Sequence, residues 1–135
     1  MAGQSPLRLV LVTPETTLLD EPVNALRFPL YDGQIGILPG RAPLIGRLGY
    51  GELKVTHVDG SPASYFIDGG FVQVKENTVS ILTDRALTPT EIDRNAAEEK
   101  LREAVARVAH TETEANARFR DQERARQMLA LSSGD

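Results

Sequence analysis

The residues best suited to proton transfer are two histidines, His57 and His110. Neither is accompanied by the partners that orient a nucleophile or a general base in catalytic motifs. We therefore interpret both as ordinary surface side chains. The sequence contains no Cys, which excludes disulfides, thiolate zinc ligands and cysteine nucleophiles. The sequence predicts a protein without a catalytic centre.

Two further groups could bind a ligand. Between residues 112 and 126, carboxylates alternate with arginines, and this spacing indicates solvated salt bridges on a helix rather than a metal cage. Residues 46–51 are dense in glycine but lack the Lys-Ser/Thr ending of a nucleotide-binding loop, so they are read as a loop and bend. We expect neither a metal ion nor a cofactor.

Composition limits the class of protein. The 135 residues are enough for one core with an appendage, and 41% apolar with 25% charged residues is typical of a soluble globular chain. No apolar run reaches the roughly 20 residues of a membrane helix, and the first residues do not resemble an export signal. The net charge of -4 argues against nucleic-acid binding. We expect a cytoplasmic protein that binds other proteins.

The chain changes character near Thr88. Residues 1–87 hold seven of the eight Pro and ten of the eleven Gly, whereas residues 88–135 hold 18 charged residues in about half the length. Thr88 can cap a helix, Pro89 suits a first helical position, and Glu91 completes a capping box. We therefore divide the chain into domains 1–87 and 88–135.

The first domain is predicted to be all β. Short runs alternate between apolar and polar residues and are separated by turn signals such as Asp59-Gly60 and Gly69-Gly70. Many short strands at this spacing favour a sandwich or barrel over a parallel sheet covered by helices. The predicted strands include residues 7–13, 26–28, 51–58, 65–67, 71–75 and 78–82.

The second domain has helical spacing. A first helix is predicted from about Pro89 to about Ala109, and a second continues to about Leu131. Thr111 and Glu114 form a second capping-box match at the start of the second helix. The apolar stripes are narrow and rich in Ala, which favours an antiparallel helical hairpin. Such a hairpin is marginal alone and needs a partner surface.

Residues 33–44, Gly-Gln-Ile-Gly-Ile-Leu-Pro-Gly-Arg-Ala-Pro-Leu, form the most unusual segment. It is too apolar for a simple linker and too rich in Gly and Pro for an interior strand. The residues themselves are compatible with either a tightly turned structural corner or a loop that contacts another protein.

This segment resembles the "G-x-x-G-I-x-P-G-H-x-P-L" signature of the epsilon subunit of bacterial F-type ATP synthases, called delta in mitochondria. Further landmarks follow in the same order, and the likeness covers almost the whole chain. They are Leu18-Leu19-Asp20, Val23, Asp68-Gly69-Gly70-Phe71-Val72-Gln73-Val74 and residues 79–86.

The resemblance implies a β-sandwich of about ten strands followed by an α-helical hairpin. It also implies a non-catalytic rotor subunit of the central stalk, which binds the gamma subunit, touches the membrane-embedded c-ring and couples ring rotation to ATP synthesis. Such a subunit would lie peripherally at the cytoplasmic face of the bacterial plasma membrane.

The resemblance assigns the c-ring contact to the segment at 33–44. The candidates are Gln34, Ile35, Pro39, Gly40 and Arg41. Arg41 stands where the family usually has His, and Gln34 stands where an acid is often found. We therefore do not expect this contact to titrate near neutral pH.

The hairpin has two implied roles. In relatives it can extend so that basic residues meet acids of the catalytic alpha/beta head and block ATP hydrolysis; the candidates here are Arg118, Arg120, Arg124 and Arg126. Some relatives also bind ATP through "I/L-D-x-x-R-A", which would involve Ile92, Asp93 and Arg126. Ala96 occupies the position of the motif's Arg, which argues against ATP binding.

One alternative from another class stays open. The chain could be a free-standing β-sandwich adaptor whose helical hairpin docks on an unrelated complex. The two functions differ in the partner, since a rotor subunit must bind gamma.

Overall fold

A computed structural model describes residues 7–132. It contains seven strands, one 3₁₀ turn and two α-helices. The strands are β1 Leu7–Thr13, β2 Thr16–Leu30, β3 Gly33–Ile37, β4 Leu44–His57, β5 Pro62–Lys75, β6 Thr78–Leu82 and β7 Ala86–Leu87. The helical elements are the 3₁₀ turn Pro89–Glu91, α1 Arg94–Ala106 and α2 Glu112–Leu131.

The strand pairing closes on itself. β1 pairs antiparallel with β2 and parallel with β6, while β6, β5, β4 and β2 follow one another through antiparallel pairs. β3 lies outside this ring and pairs with β2, and the short β7 pairs with β5. The prediction of an all-β first domain followed by a helical hairpin is confirmed.

The core lies inside this closed ladder. On β1 the alternate residues Leu7, Leu9 and Leu11 are fully buried, as a half-buried strand requires. They pack with buried residues of the other strands, which include Phe28, Leu53, Val55, Ile67, Val72, Val74, Val79 and Ile81. Burial of this aliphatic cluster supplies the main driving force for folding of the domain.

The strands are fewer and longer than the short runs that the sequence suggested. β2, β4 and β5 contain 15, 14 and 14 residues, so each joins segments that the sequence presents as separate. Gly69 and Gly70, which we expected to separate two strands, instead lie within β5. Their φ values of 74° and 109° bend the strand without ending it, because glycine adopts positive φ at little cost.

The first helix differs from the prediction of Pro89 to Ala109. The capping box of Thr88 and Glu91 is present, but the element that begins at it is only the 3₁₀ turn. Ile92 then takes extended backbone angles and its side chain is buried, after which Asp93 caps α1 by accepting from the backbone N–H of Ala96 at 3.0 Å. Burial of Ile92 therefore interrupts the helix.

The hairpin packs on the sheet through its second helix. α2 contacts α1 and lies against β4 and β5. The buried positions of the two helices are all alanines, namely Ala97, Ala104 and Ala125. Small side chains let the helices approach closely but remove little apolar area from water, so the hairpin depends on other contacts as well.

We predict that Gly70→Ala destabilises the domain severely. A Cβ at this position would overlap the backbone carbonyl of Leu82, and φ is positive. Backbone has to move, so the free energy of unfolding should fall by about 3 kcal/mol or more. The matched control is Gly60→Ala, which has φ of 89° but open space around the Cβ and should cost only about 1 kcal/mol. Urea unfolding measures both, and equal losses would contradict the prediction.

Candidate functional site

Arg124 on α2 is the main polar contact between the hairpin and the sheet. Its Nε donates to Asp68 Oδ1 on β5 at 2.9 Å, and its Nη1 donates to Asp121 Oδ1 at 3.0 Å. The guanidinium also lies over the Tyr50 ring, 4.6 Å from the centroid. We call these residues, Tyr50, Asp68, Asp121 and Arg124, the Arg124 cluster. It combines ion pairing with a cation–π contact.

The sheet holds Asp68 in place for this contact. The backbone N–H of Asp68 donates to Thr83 Oγ1 at 3.0 Å, and the Thr83 hydroxyl donates to the Arg85 carbonyl at 3.3 Å. Thr83 is buried, and the Asp68 side chain is only 14% exposed. Arg85 Nη2 lies 3.6 Å from Asp68 Oδ2, so two arginines face one carboxylate.

The charges of the cluster stabilise one another. Burial alone would lower the pKa of Arg124, but the hydrogen bond to Asp68 and the nearby negative charges raise it above its usual value. The hydrogen bond from Arg107, whose Nη1 lies 2.8 Å from Asp121 Oδ2, lowers the pKa of Asp121. Both groups are therefore charged at neutral pH, and the contact persists there.

A groove of about 620 Å³ runs between the hairpin and the sheet beside this cluster. Its lining carries five carboxylates and four cations. The carboxylates are those of Asp68, Glu91, Asp93, Glu103 and Asp121, and the cations are Arg85, Lys100, Arg107 and Arg124. This balance suits internal ion pairing better than a polyanionic ligand, because the carboxylates would repel phosphates.

The candidate ATP-binding residues do not converge on this groove. Asp93 lines it but is engaged as the cap of α1, and Ile92 is buried. Arg126 is absent from the lining, and its Nη1 donates to Glu123 Oε2 at 2.9 Å. Ala96, which replaces the motif's Arg, does line the groove, so no guanidinium projects from that position.

The four candidate inhibitory arginines have different surroundings. Arg124 is held in its cluster, and Arg126 is paired along its own helix. Arg118 Nη1 donates to the Arg107 carbonyl at 2.9 Å, which fastens the turn between the helices. Arg120 is exposed and has no hydrogen bond or ion pair with residues 7–132.

The segment at 33–44 faces both inward and outward. Ile37 is buried and Ile35 packs on the core, whereas Gln34, Gly40 and Arg41 are exposed. Pro39 is half-buried.

Gly40 is fixed to the neighbouring turn. It has φ of 87°, and its N–H donates to Asn77 Oδ1 at 2.8 Å. The segment is therefore a fixed corner whose outer side is available for contact.

Sequence reasoning missed an exposed apolar stripe on the sandwich. Ile45, Phe71 and Leu82 are 78%, 60% and 50% exposed. Phe71 is the cross-strand partner of Leu82, and Ile45 on β4 lies diagonally across from Phe71. The signal was available, because these residues are out of phase with the buried alternate residues Val72 and Ile81.

The two histidines have different surroundings. His57 Nδ1 lies 3.0 Å from Glu21 Oε1, and His110 is exposed beside α2. Within residues 7–132, no group of three or more acidic or histidine side chains is placed to hold a metal ion. None of the helices in this part of the chain is long and apolar enough to cross a membrane.

Comparison with known proteins identifies the family. Residues 6–89 match the family model of the ATP synthase delta/epsilon chain β-sandwich domain. The ATP synthase epsilon chain of Rhodopirellula baltica is 42% identical over 126 residues, which cover 93% of this chain and 98% of the relative. That of a Synechococcus species is 35% identical, with 91% and 90% covered.

Solved structures agree. A chain in the cryo-EM structure of Euglena gracilis mitochondrial ATP synthase, OSCP/F1/c-ring, matches with a TM-score of 0.82 and 28% identity over 96% of this chain and 84% of its own. A chain of the Tetrahymena thermophila mitochondrial ATP synthase central stalk/c-ring structure shares the fold, with a TM-score of 0.71 and 16% identity over 98% and 100%. A closed β-sandwich followed by a two-helix hairpin, a family-model match through the sandwich and near full-length relatives show that the chain belongs to the ATP synthase delta/epsilon chain family.

Proposed function

We propose that this chain is a non-catalytic rotor subunit of the central stalk of an F-type, proton-translocating ATP synthase. In this role it binds the gamma subunit and the c-ring and couples ring rotation to ATP synthesis in the head. The observation that carries the proposal is the exposed apolar stripe on a sandwich whose own core is complete. The complex holds the chain at the cytoplasmic face of the bacterial plasma membrane.

The stripe of Ile45, Phe71 and Leu82 is the proposed gamma contact. Three large apolar side chains on adjacent strands β4, β5 and β6 are all at least half exposed. Contiguous exposed apolar surface on a soluble domain commonly marks a protein interface. The strands beneath belong to the closed ladder, so the stripe is presented on a rigid surface.

The 33–44 segment is the proposed c-ring contact, through Gln34, Ile35, Pro39, Gly40 and Arg41, of which Ile35 and Pro39 are half-buried and the other three are exposed on its outer side. The hydrogen bond from Gly40 to Asn77 holds this corner in a fixed shape. Arg41 offers the ring a planar guanidinium with several donors, where the family usually has His. Support comes from the exposure of Gln34, Gly40 and Arg41 on an otherwise anchored segment.

The hairpin is the proposed inhibitor of ATP hydrolysis. In its docked position Arg124 is held by the Arg124 cluster, so it is unavailable to the alpha/beta head. Release would exchange Asp68 for acids of the head, which would meet Arg124 together with Arg118, Arg120 and Arg126, while Asp121 stays beside Arg124 on α2. Because both sets of contacts are charge pairs, the two positions of the hairpin can differ by little free energy.

We also propose that docking does not require ATP. The groove already contains paired charges, and Ala96 supplies no guanidinium for a phosphate. The contribution of Ile92 and Asp93 is then structural, since one is a core residue and the other a helix cap.

Tagged chain recovered from membranes of its own organism should retain gamma with the alpha and beta head subunits. Phe71→Glu should reduce recovery of gamma at least about tenfold, because a carboxylate would be buried in an apolar interface. Val58→Glu is the matched control, since Val58 is also an exposed apolar residue but lies at the far end of β4, beyond His57. Recovery of an unrelated complex without gamma would support the adaptor instead.

Removing residues 111–135 should raise the ATPase activity of the head assembled with this chain. Asp68→Asn should do the opposite and deepen inhibition, because weakening the Arg124 cluster by about 1 kcal/mol shifts the hairpin about fivefold toward release. Glu99→Gln removes a carboxylate from the exposed Arg102 pair on α1, which contains none of the candidate inhibitory residues, and serves as control. Unchanged activity after the truncation would refute the inhibitory role.

Calorimetry should show no saturable ATP binding to the chain up to about 1 mM. Ala96→Arg should strengthen any binding, because it places a guanidinium in the groove lining. Asn95→Arg adds the same charge on α1 outside the lining and should have no such effect. Saturable binding by the unaltered chain would show that the groove takes the nucleotide without the motif's Arg.

A further inference from the structure

A second exposed surface lies on strands β2, β3 and β4, away from the apolar stripe. Arg27 on β2 is the direct cross-strand partner of Lys54 on β4, and both side chains are exposed. Neither has a carboxylate partner within residues 7–132. Like charges placed directly opposite each other repel, so this pair disfavours the isolated fold unless an anion lies between them.

Three other cations of the sandwich, Arg8, Arg47 and Arg85, have partners. Arg8 Nε lies 2.7 Å from Asp20 Oδ1, and Arg85 Nη2 lies 3.6 Å from an oxygen of Asp68. The Arg47 guanidinium lies over the Tyr31 ring, 4.5 Å from the centroid. Arg27 and Lys54 thus differ from these three in facing each other instead of a countercharge.

The cation pair borders a groove of about 400 Å³. Arg27 also pairs with Gly36 on β3, so Lys54, Arg27 and Gly36 form one row across the sheet. In the neighbouring row the small residues Ala25 and Thr56 are partners. Small side chains and a glycine leave a floor low enough for an incoming loop to reach both cations.

Leu38 gives the groove an apolar wall. It lines the groove, follows β3 directly and is 65% exposed. It also lies within the 33–44 segment, whose outer side is the proposed c-ring contact. The groove and that contact are therefore continuous, and one partner can engage both.

We propose that the Arg27 and Lys54 groove binds an acidic loop of the c-ring, with a carboxylate between the two cations and an apolar neighbour against Leu38. The identity of this partner rests on the proposed rotor function, whereas its chemistry follows from the groove. Electrostatic complementarity of this kind fixes orientation and speeds association. Binding in this groove would extend the ring contact from the corner at 33–44 onto the sheet.

The test uses the chain assembled with gamma and measures binding to detergent-solubilised c-ring from the same organism over a range of salt concentrations. The double variant R27Q/K54Q should bind about tenfold more weakly and with a smaller dependence on salt. Arg102→Gln, which removes an exposed cation from α1, should bind as the unaltered chain does. Gamma recovery should be the same for all three.

Urea unfolding shows whether loss of a cation from this pair destabilises the fold. Because removal of one cation relieves repulsion, Lys54→Gln should unfold at the same or a higher urea concentration than the unaltered chain. If Lys54→Gln is at least as stable as the unaltered chain, weaker ring binding after loss of this cation cannot be attributed to a folding defect. A lower unfolding midpoint would contradict the repulsion on which the proposal rests.

Three outcomes would overturn the proposal. Ring binding by R27Q/K54Q with unchanged affinity and salt dependence would overturn the groove alone and leave the rotor function intact. Failure of the unaltered assembly to bind the ring would overturn the proposed ring contact as well. Equal binding of the unaltered assembly to phosphatidylglycerol vesicles without ring, lost in the double variant, would assign the groove to lipid headgroups.

Discussion

The close approach of Gly70 to the backbone of Leu82 is the constraint on which the arrangement of this molecule depends. No other residue type fits there, because a Cβ would overlap the Leu82 carbonyl. The approach bends β5 just after Asp68 and brings Thr83 under the Asp68 backbone, where its hydroxyl accepts a hydrogen bond. Asp68 is thereby directed to Arg124 on α2. One backbone contact in the sheet thus determines where the hairpin docks.

Docking of the hairpin relies on charge more than on apolar burial. Only alanines are buried in its two helices, while Arg124 pairs with Asp68 on β5 and Arg107, at the end of α1, pairs with Asp121 inside the hairpin. These pairs are partly exposed, so salt weakens them and each contributes modestly. A hairpin held in this way can leave the sheet without exposing a large apolar surface. The same property makes it suitable for a reversible regulatory element.

Local signals in the sequence were sufficient for the class of each domain and for several helix ends. The Thr111 cap is one example, since its hydroxyl accepts from the Glu114 N–H at 3.0 Å, although the Glu114 carboxylate accepts from His110 and not from Thr111. The first helix was predicted too long because burial of Ile92, a tertiary effect, outweighed the cap at Thr88. Burial of a single side chain is not visible in local spacing.

The contacts that make the candidate sites could not be predicted in the same way. Asp68 and Arg124 are 56 positions apart, and nothing in either local segment indicates that they meet. The same holds for Arg27 and Lys54, whose opposition depends on the register between β2 and β4. The apolar stripe is different, because Phe71 follows the alternation of β5 and could have been recognised as facing outward once Val72 was placed in the core.

The closed ladder explains how separate surfaces on a small domain can act together. The apolar stripe lies on β4, β5 and β6, while the corner at 33–44 and the cation pair lie on or beside β2, β3 and β4. Since β4 contributes to both regions, a force applied to one is transmitted through paired backbone to the other. A rotor subunit that joins a ring to a shaft needs such stiffness between its two contacts. The hairpin packs on this ladder without contributing a strand to it, so movement of the hairpin would leave the mechanical connection intact.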